Sequence, residues 1–252
     1  GVEVVHVASC LQDDEIDGCD TRRGTPSVNA RWQSHKDVIL GDYILARNMA
    51  ICLTSGQCDL VTHVCGSMAA LCEGEVMQDE CAETHDMTRR TYLDIIHQKT
   101  ASLLGVSASA GALAVGATRD RVALMRRFGE ALGMAFQMQD DILDYTLSAH
   151  TGKPANNDLR EGKITLPLLR LLDQSAPERR RKLVAKLSDV RNSPKNVDYL
   201  CKAVLDSDGI AYARQCMTEY RNRALAFLEG YPESDVLRSL HLFADFVLSR
   251  DK

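Results

Sequence analysis

The chain has 252 residues, a hydrophobic fraction of 45%, a charged fraction of 26% and a formal net charge of -5. That balance excludes a disordered chain, a collagen and a membrane bundle, and the length suffices for a core without disulfide staples. Thirty basic residues against thirty-five acidic ones also argue against a nucleic-acid binder, which needs a phosphate-neutralising basic surface.

Apolar residues recur at helical spacing almost throughout, and alternating strand-like runs flanked by turns are missing. The spacing predicts a helix over 2–17, stopped by Gly18, and then a polar loop over 19–27. A second helix is expected over 35–55, ended by Gly56, and a third over 59–78. An acidic link, 79–86, leads to a helix from about 89 to 104, with Thr91 and Asp94 as a capping box near its start. A small-residue helix is expected over 107–117, and Thr118 can cap a long helix reaching about Tyr145. The uncharged run 100–118 is made of Ala, Gly and Ser, so it reads as packed helix rather than a membrane span. The stretch 148–162 is the most loop-like of the chain. Ser175 and Glu178 form a second capping box with Pro177 in the first turn, and Gly230 and Pro232 precede a last helix running to Lys252. No composition shift marks a boundary, so residues 1–252 are expected to form a single all-α domain, a helical bundle.

The nine cysteines contain no Cys-x-x-Cys pair and no zinc spacing. Cys58, Cys65 and Cys72 repeat every seven residues and share one helix face. They read as small buried hydrophobes in a reducing compartment, and no secretory signal opens the chain, so a cytoplasmic location is expected.

Two segments match each other. Gln12-Asp13-Asp14-Glu15-Ile16-Asp17 and Gln139-Asp140-Asp141-Ile142-Leu143-Asp144 both read Gln-Asp-Asp-x-Ile/Leu-Asp near a predicted helix C-terminus. Asp13 and Asp17 share a face, as do Asp140 and Asp144, while Asp14 and Asp141 point to the side. Like charges at this spacing cost ~0.2–0.5 kcal/mol, and helix C-termini favour cations, so the placement is unfavourable twice in each segment. A single such cluster is ordinarily a solvated helix end. Two matching ones on apolar helices point instead to hard oxygen ligands for Mg²⁺, which takes one or two carboxylates plus substrate phosphates. Two clusters facing each other would make a metal–diphosphate clamp. Arg22, Arg23, Lys99, Lys153 and Lys163 are candidate phosphate-binding cations, although each taken alone reads as a solvated surface residue.

With these residues in view, the chain resembles the trans-isoprenyl (polyprenyl) diphosphate synthases. The segment 3–29 is similar to the family's first aspartate-rich region with its trailing Arg-Arg-Gly. Gly41-Asp42-Tyr43, Gly74-Glu75 with Gln78, Lys99-Thr100, the second aspartate-rich region at 133–145 and the closing stretch 152–169 follow in the family's order. The resemblance implies a helical bundle around a central substrate cavity. It implies that Asp13, Asp14 and Asp17 hold two Mg²⁺ ions on an allylic diphosphate, and that Asp140, Asp141 and Asp144 hold a third. Arg22, Lys99, Thr100, Gln137, Lys153 and Lys163 would contact the allylic substrate. His6 and Arg23 would bind the diphosphate of isopentenyl diphosphate. In such enzymes the residues before the first Asp face the growing tail. Here they are Ser9 and Ala8, with Val5 one turn deeper, all lacking an aromatic ring, which implies an open tunnel and a product longer than twenty carbons.

The family also carries a Gly-Gly-Lys-x-x-Arg segment that serves isopentenyl diphosphate, and nothing like it precedes Gly1. N-terminal helices of the family are therefore expected to be missing, and a non-catalytic partner subunit is the alternative function. A short-chain farnesyl or geranylgeranyl synthase is a third reading. A class I terpene cyclase is disfavoured, because its second metal motif is of the Asn/Asp-x-x-Ser/Thr-x-x-x-Glu type and this chain repeats Asp-Asp-x-x-Asp. The resemblance further implies a homodimer. No basic amphipathic helix argues for stable membrane insertion.

Overall fold

The computed structural model describes residues 1–16, 21–22, 25–28, 30, 36–54, 56, 58–146 and 156–250. They form helices almost throughout, and the chain divides into two compact units, 1–68 and 69–252.

The first unit contains α1 (Val2–Ile16), a two-stranded antiparallel ribbon of β1 (Thr21–Arg22) and β2 (Thr25–Pro26), α2 (Lys36–Thr54) and the start of α3 (Cys58–Thr84). The ribbon falls within the polar loop expected at 19–27 and pairs only two residues on each side, too few to show a strand-like alternation. α1 and α2 pack closely because Gly41 carries no side chain. A Cβ there would lie 2.9 Å from Gln12 Cγ and 3.2 Å from the Ala8 carbonyl oxygen. Gln12 Nε2 donates to Asp42 Oδ1 at 2.8 Å across the same contact. Among the described residues, Val5, Ala8, Leu45 and Val64 are the buried apolar residues of this unit.

The second unit holds the rest of α3, then α4 (Arg89–Ile96), a π-helical turn (His97–Ala101), α5 (Ser102–Ala114) and the 28-residue α6 (Arg119–Thr146). Six shorter elements follow: α7 (Asn157–Glu161), α8 (Leu166–Gln174), α9 (Pro177–Leu187), α10 (Pro194–Leu205), α11 (Gly209–Ala226) and α12 (Asp235–Ser249). α6 is the central element. It packs against α5, the π turn, α11, α12 and α8, and Met138 and Ile142 on it are fully buried among Ile95, Leu159, Leu166 and Leu168. Its contact with α5 is very close: a Cβ at Gly129 would lie 2.4 Å from the Leu104 carbonyl oxygen, and one at Gly133 2.6 Å from Ala101 Cα.

Several local expectations need correction. The stretch 79–86 is no link, since α3 continues to Thr84, its charges lying on an exposed face that a helix tolerates. The helices expected at 89–104 and 107–117 are joined through the π turn. Thr88, rather than Thr91, caps α4, its hydroxyl accepting from the Thr91 N–H at 3.1 Å. Ser175 does not cap α9: its hydroxyl donates back to the Leu171 carbonyl at 2.7 Å and closes α8. The cysteine reading is wrong in part. Cys81 and Cys216 are buried, but Cys58 and Cys72 are exposed. No described helix is long and apolar enough to cross a membrane.

Candidate active site around the second aspartate cluster

The second aspartate cluster lies in the last two turns of α6, held between α4, the π turn, α7 and the end of α12. Its middle carboxylate turns inward: Asp141 is 3% exposed. Tyr92 Oη on α4 donates to Asp141 Oδ2 at 2.6 Å, and Gln137 Nε2, one turn back on α6, donates to Asp141 Oδ1 at 2.9 Å. Thr100 Oγ1 of the π turn donates in its turn to Gln137 Oε1 at 2.7 Å. Thr100, Gln137, Asp141 and Tyr92 thus form one continuous chain, which fixes the rotamers of the two polar residues nearest the aspartates.

The outer carboxylates are more open. Asp140 accepts from Arg250 Nη2 at 2.6 Å. Asp144 accepts from the backbone N–H groups of Asn157 (2.9 Å) and Asp158 (3.2 Å), and so caps the start of α7. Burial raises the Asp141 carboxyl to about 7, with Asp140 and Asp144 repelling its charge, while the bonds from Tyr92 and Gln137 pull the other way. Asp158 is also held well above the ordinary carboxylate range by burial and by the charges of Asp144 and Asp141, with Lys163 acting against them. Burial, and then Asp141, pushes the Tyr92 phenol up.

The π turn carries Lys99. An extra residue in a helical turn redirects side chains, and such bulges recur at functional sites. Lys99 Nζ lies 2.6 Å from Glu75 Oε2 and bonds Gln78 Oε1, both on α3. Gly74 permits this approach: a Cβ there would meet Gln98 Cβ and Lys99 Cγ at 2.9 Å. The Gly74-Glu75 and Gln78 motif is therefore the docking surface for the Lys99 turn. Lys163, just past α7, pairs with Glu161 Oε2 at 2.5 Å and has a side chain only 13% exposed.

In the first unit, Asp14 is buried at 5% exposure, Val5 and Ala8 are buried, and His6 and Ser9 are half-buried, with Ser9 Oγ donating to the His6 carbonyl at 2.9 Å. Asp17, Arg23 and Lys153 lie outside the described residues, as do the side chains of Asp13 and Arg22. Tyr92 and Arg250 were not singled out by sequence. Their partners lie 49 and 110 residues away along the chain, and neither sits in a repeated motif.

Among the described residues no three His, Cys, Asp or Glu side chains converge into a cage for a metal ion. The donor set nevertheless fits a hard divalent cation shared with a phosphate ligand, which needs only one or two protein carboxylates. Burial, with the neighbouring carboxylates behind it, pushes the Asp141 and Asp158 carboxyls up, so four acidic side chains gather at this end of α6.

These features describe an acidic site on an all-α scaffold. Residues 1–204 match the polyprenyl synthetase family, and the chain belongs to that family. It is 33% identical over 251 residues to heptaprenyl diphosphate synthase component 2 of Geobacillus stearothermophilus, covering 99% of this chain and 77% of that one. It is 34% identical over 250 residues to an all-trans-nonaprenyl-diphosphate synthase of Rhodobacter capsulatus, covering 99% and 76%. Among solved structures, a polyprenyl synthase from Caulobacter crescentus CB15, complexed with calcium and isoprenyl diphosphate, superposes with a TM-score of 0.92 at 30% identity. That match covers all of this chain and 77% of the other.

Proposed function

We propose that the chain condenses isopentenyl diphosphate head-to-tail with an allylic diphosphate, farnesyl or geranylgeranyl, to give a trans-polyprenyl diphosphate longer than twenty carbons. The observation that carries this reading is the second aspartate cluster wired to the Lys99–Thr100 turn through Gln137. The relatives named above, a heptaprenyl and a nonaprenyl synthase, support it and favour a long product.

Asp13, Asp14 and Asp17 are assigned to two magnesium ions and Asp140, Asp141 and Asp144 to a third. Of the last three, Asp141 also accepts from Gln137 and so holds it in position. Magnesium would neutralise the leaving diphosphate and so favour cleavage of the allylic C–O bond. Lys99, Lys153, Lys163 and Arg22 supply point and forked charges to the same diphosphate, and His6 and Arg23 bind that of isopentenyl diphosphate. Lys99 is already desolvated and oriented by Glu75 and Gln78, so its charge needs no reorganisation as the diphosphate leaves. No dedicated side-chain base is needed if the departing diphosphate takes the proton that the condensation releases.

We further propose that the two units act as one catalytic domain and that the enzyme is a cytoplasmic homodimer. α2 carries an exposed stripe of Ile39, Tyr43, Ala46, Ala50 and Leu53, one helix face that a second copy would cover.

The test is turnover of labelled isopentenyl diphosphate with farnesyl diphosphate and Mg²⁺, beside a chelated control, followed by sizing of the dephosphorylated product. A Mg²⁺-dependent ladder ending at thirty or more carbons is expected, and Ala8→Phe should shorten it. Absence of turnover would favour a non-catalytic partner subunit. An unshortened ladder would show that Ala8 does not line the tail.

A further inference from the structure

We propose that Arg250 is the resident counter-ion of Asp140 and competes with the divalent cation for that carboxylate. The exchange would link metal arrival to release of the C-terminal turn.

The residue sits immediately after α12 and is tightly held. Its guanidinium lies 3.8 Å over the Phe136 ring, and its side chain is only 11% exposed. Its backbone carbonyl accepts from Gln139 Nε2 at 2.7 Å. Contacts to residues 136, 139 and 140, about one turn of α6, therefore clamp the end of α12 onto α6.

The ion pair itself is poorly made. A guanidinium ordinarily grips a carboxylate with two parallel N–H bonds. Here one nitrogen, Nη2, serves both Asp140 Oδ1 (2.6 Å) and the Phe136 carbonyl oxygen (2.9 Å). The buried Nε has no acceptor at all. An unsatisfied buried donor is costly, so the guanidinium has more bonding capacity than this arrangement uses. The carboxylate, by contrast, is 41% exposed. A buried guanidinium that grips a part-exposed carboxylate through one shared nitrogen is suited to displacement. In the absence of metal it keeps Asp140 oriented beside Asp141 and Asp144. On displacement the guanidinium is free to find the phosphate oxygens that its Nε lacks.

The proposal rests on the reading of Asp140 as a metal ligand, and the experiment separates the two. Mn²⁺ alone, without substrate, is titrated into the full chain, and free Mn²⁺ is read by its EPR signal for wild type, Arg250→Gln, Asp140→Asn and the double variant. Removing the competitor should tighten Mn²⁺ binding about three- to tenfold in Arg250→Gln, the tenfold limit corresponding to ~1.4 kcal/mol. In the Asp140→Asn background the same substitution should change nothing. Arg250→Lys, which keeps the charge without the fork or the stacking, should bind with intermediate affinity, and it serves if the Gln variant folds poorly. Unchanged or weaker binding in both Arg250 variants, with Asp140→Asn still impaired, would overturn the exchange and leave the metal reading intact. An Asp140→Asn protein that binds Mn²⁺ like wild type would overturn both.

Discussion

The same six-residue pattern occurs twice in this chain, and the two copies are supported differently. In both, the middle aspartate is buried: Asp14 at 5% exposure on α1 and Asp141 at 3% on α6. In both, the leading glutamine ties its helix to a neighbour, but the neighbours differ. Gln12 bonds the Asp42 side chain on α2, in an exposed position. Gln139 is buried and bonds a backbone carbonyl at the end of α12. The second copy also has Tyr92, Gln137 and Arg250 committed to its carboxylates. The pattern alone turns one carboxylate inward. The surroundings decide how much charge the cluster tolerates before a cation arrives.

The largest effects should come from the outer carboxylates themselves. Asp13→Ala and Asp140→Ala should each lower kcat by about 10²–10³-fold, the scale of losing one preorganised electrostatic contact in a transition state. Steady-state kinetics across a Mg²⁺ series would sharpen the comparison. If the first copy carries two ions and the second one, Asp13→Ala should resist rescue by high Mg²⁺ more than Asp140→Ala does. Equal rescue, or a loss below tenfold at either position, would contradict that division of labour.

Stability against pH should come next in size. The Asp141 carboxyl is raised from 3.8 to about 7 by burial, so the folded protein keeps a proton that the unfolded chain has lost across that interval. Its contribution is fully present below the lower value and is lost as pH rises through about 7. At 1.36 kcal/mol per pKa unit the ceiling is on the order of 4 kcal/mol. Without metal, Tm should therefore fall between about pH 4 and pH 7, and Asp141→Asn should flatten the profile. Mg²⁺ with inorganic diphosphate, by offsetting Asp140 and Asp144, should make the wild-type slope shallower. A slope unchanged in Asp141→Asn would assign the titration to Asp158 instead.

How much of this could be read beforehand differs between periodic and long-range features. The boundaries of α1, α2 and α6 fall within a residue or two of their periodic patterns, because each buries one apolar face. The aspartate pairs were legible for the same reason: a spacing of four fixes a face. Acidic residues at 79–86 misled because charge on an exposed helix face looks like a loop in composition. The π turn is invisible for a different reason, since one extra residue per turn changes hydrogen bonding without changing composition. Tyr92 and Arg250 could not be found at all, because their roles are tertiary contacts and nothing local announces them.

The smallest predicted effect tests the comparison most directly, because it exchanges the same residue in both copies. Leu replaces Gln with little change in volume and removes only the amide. Gln139→Leu loses a buried bond of 2.7 Å to the Arg250 carbonyl and leaves that acceptor unpaired, so about 1–2 kcal/mol of stability should go with it. It also relieves the buried Gln139 Oε1, which has no donor, and this offsets part of the loss. Gln12→Leu loses an exposed bond to Asp42, whose carboxylate water can serve, so the cost should stay within about 0.5 kcal/mol. Urea unfolding of the two variants should rank Gln139 above Gln12. Because Gln139 holds the carbonyl of Arg250 itself, its variant should also loosen the guanidinium from Asp140 and tighten Mn²⁺ in the same direction as Arg250→Gln. The reverse ranking would mean that the first copy depends on its α2 contact more than the second depends on the end of α12.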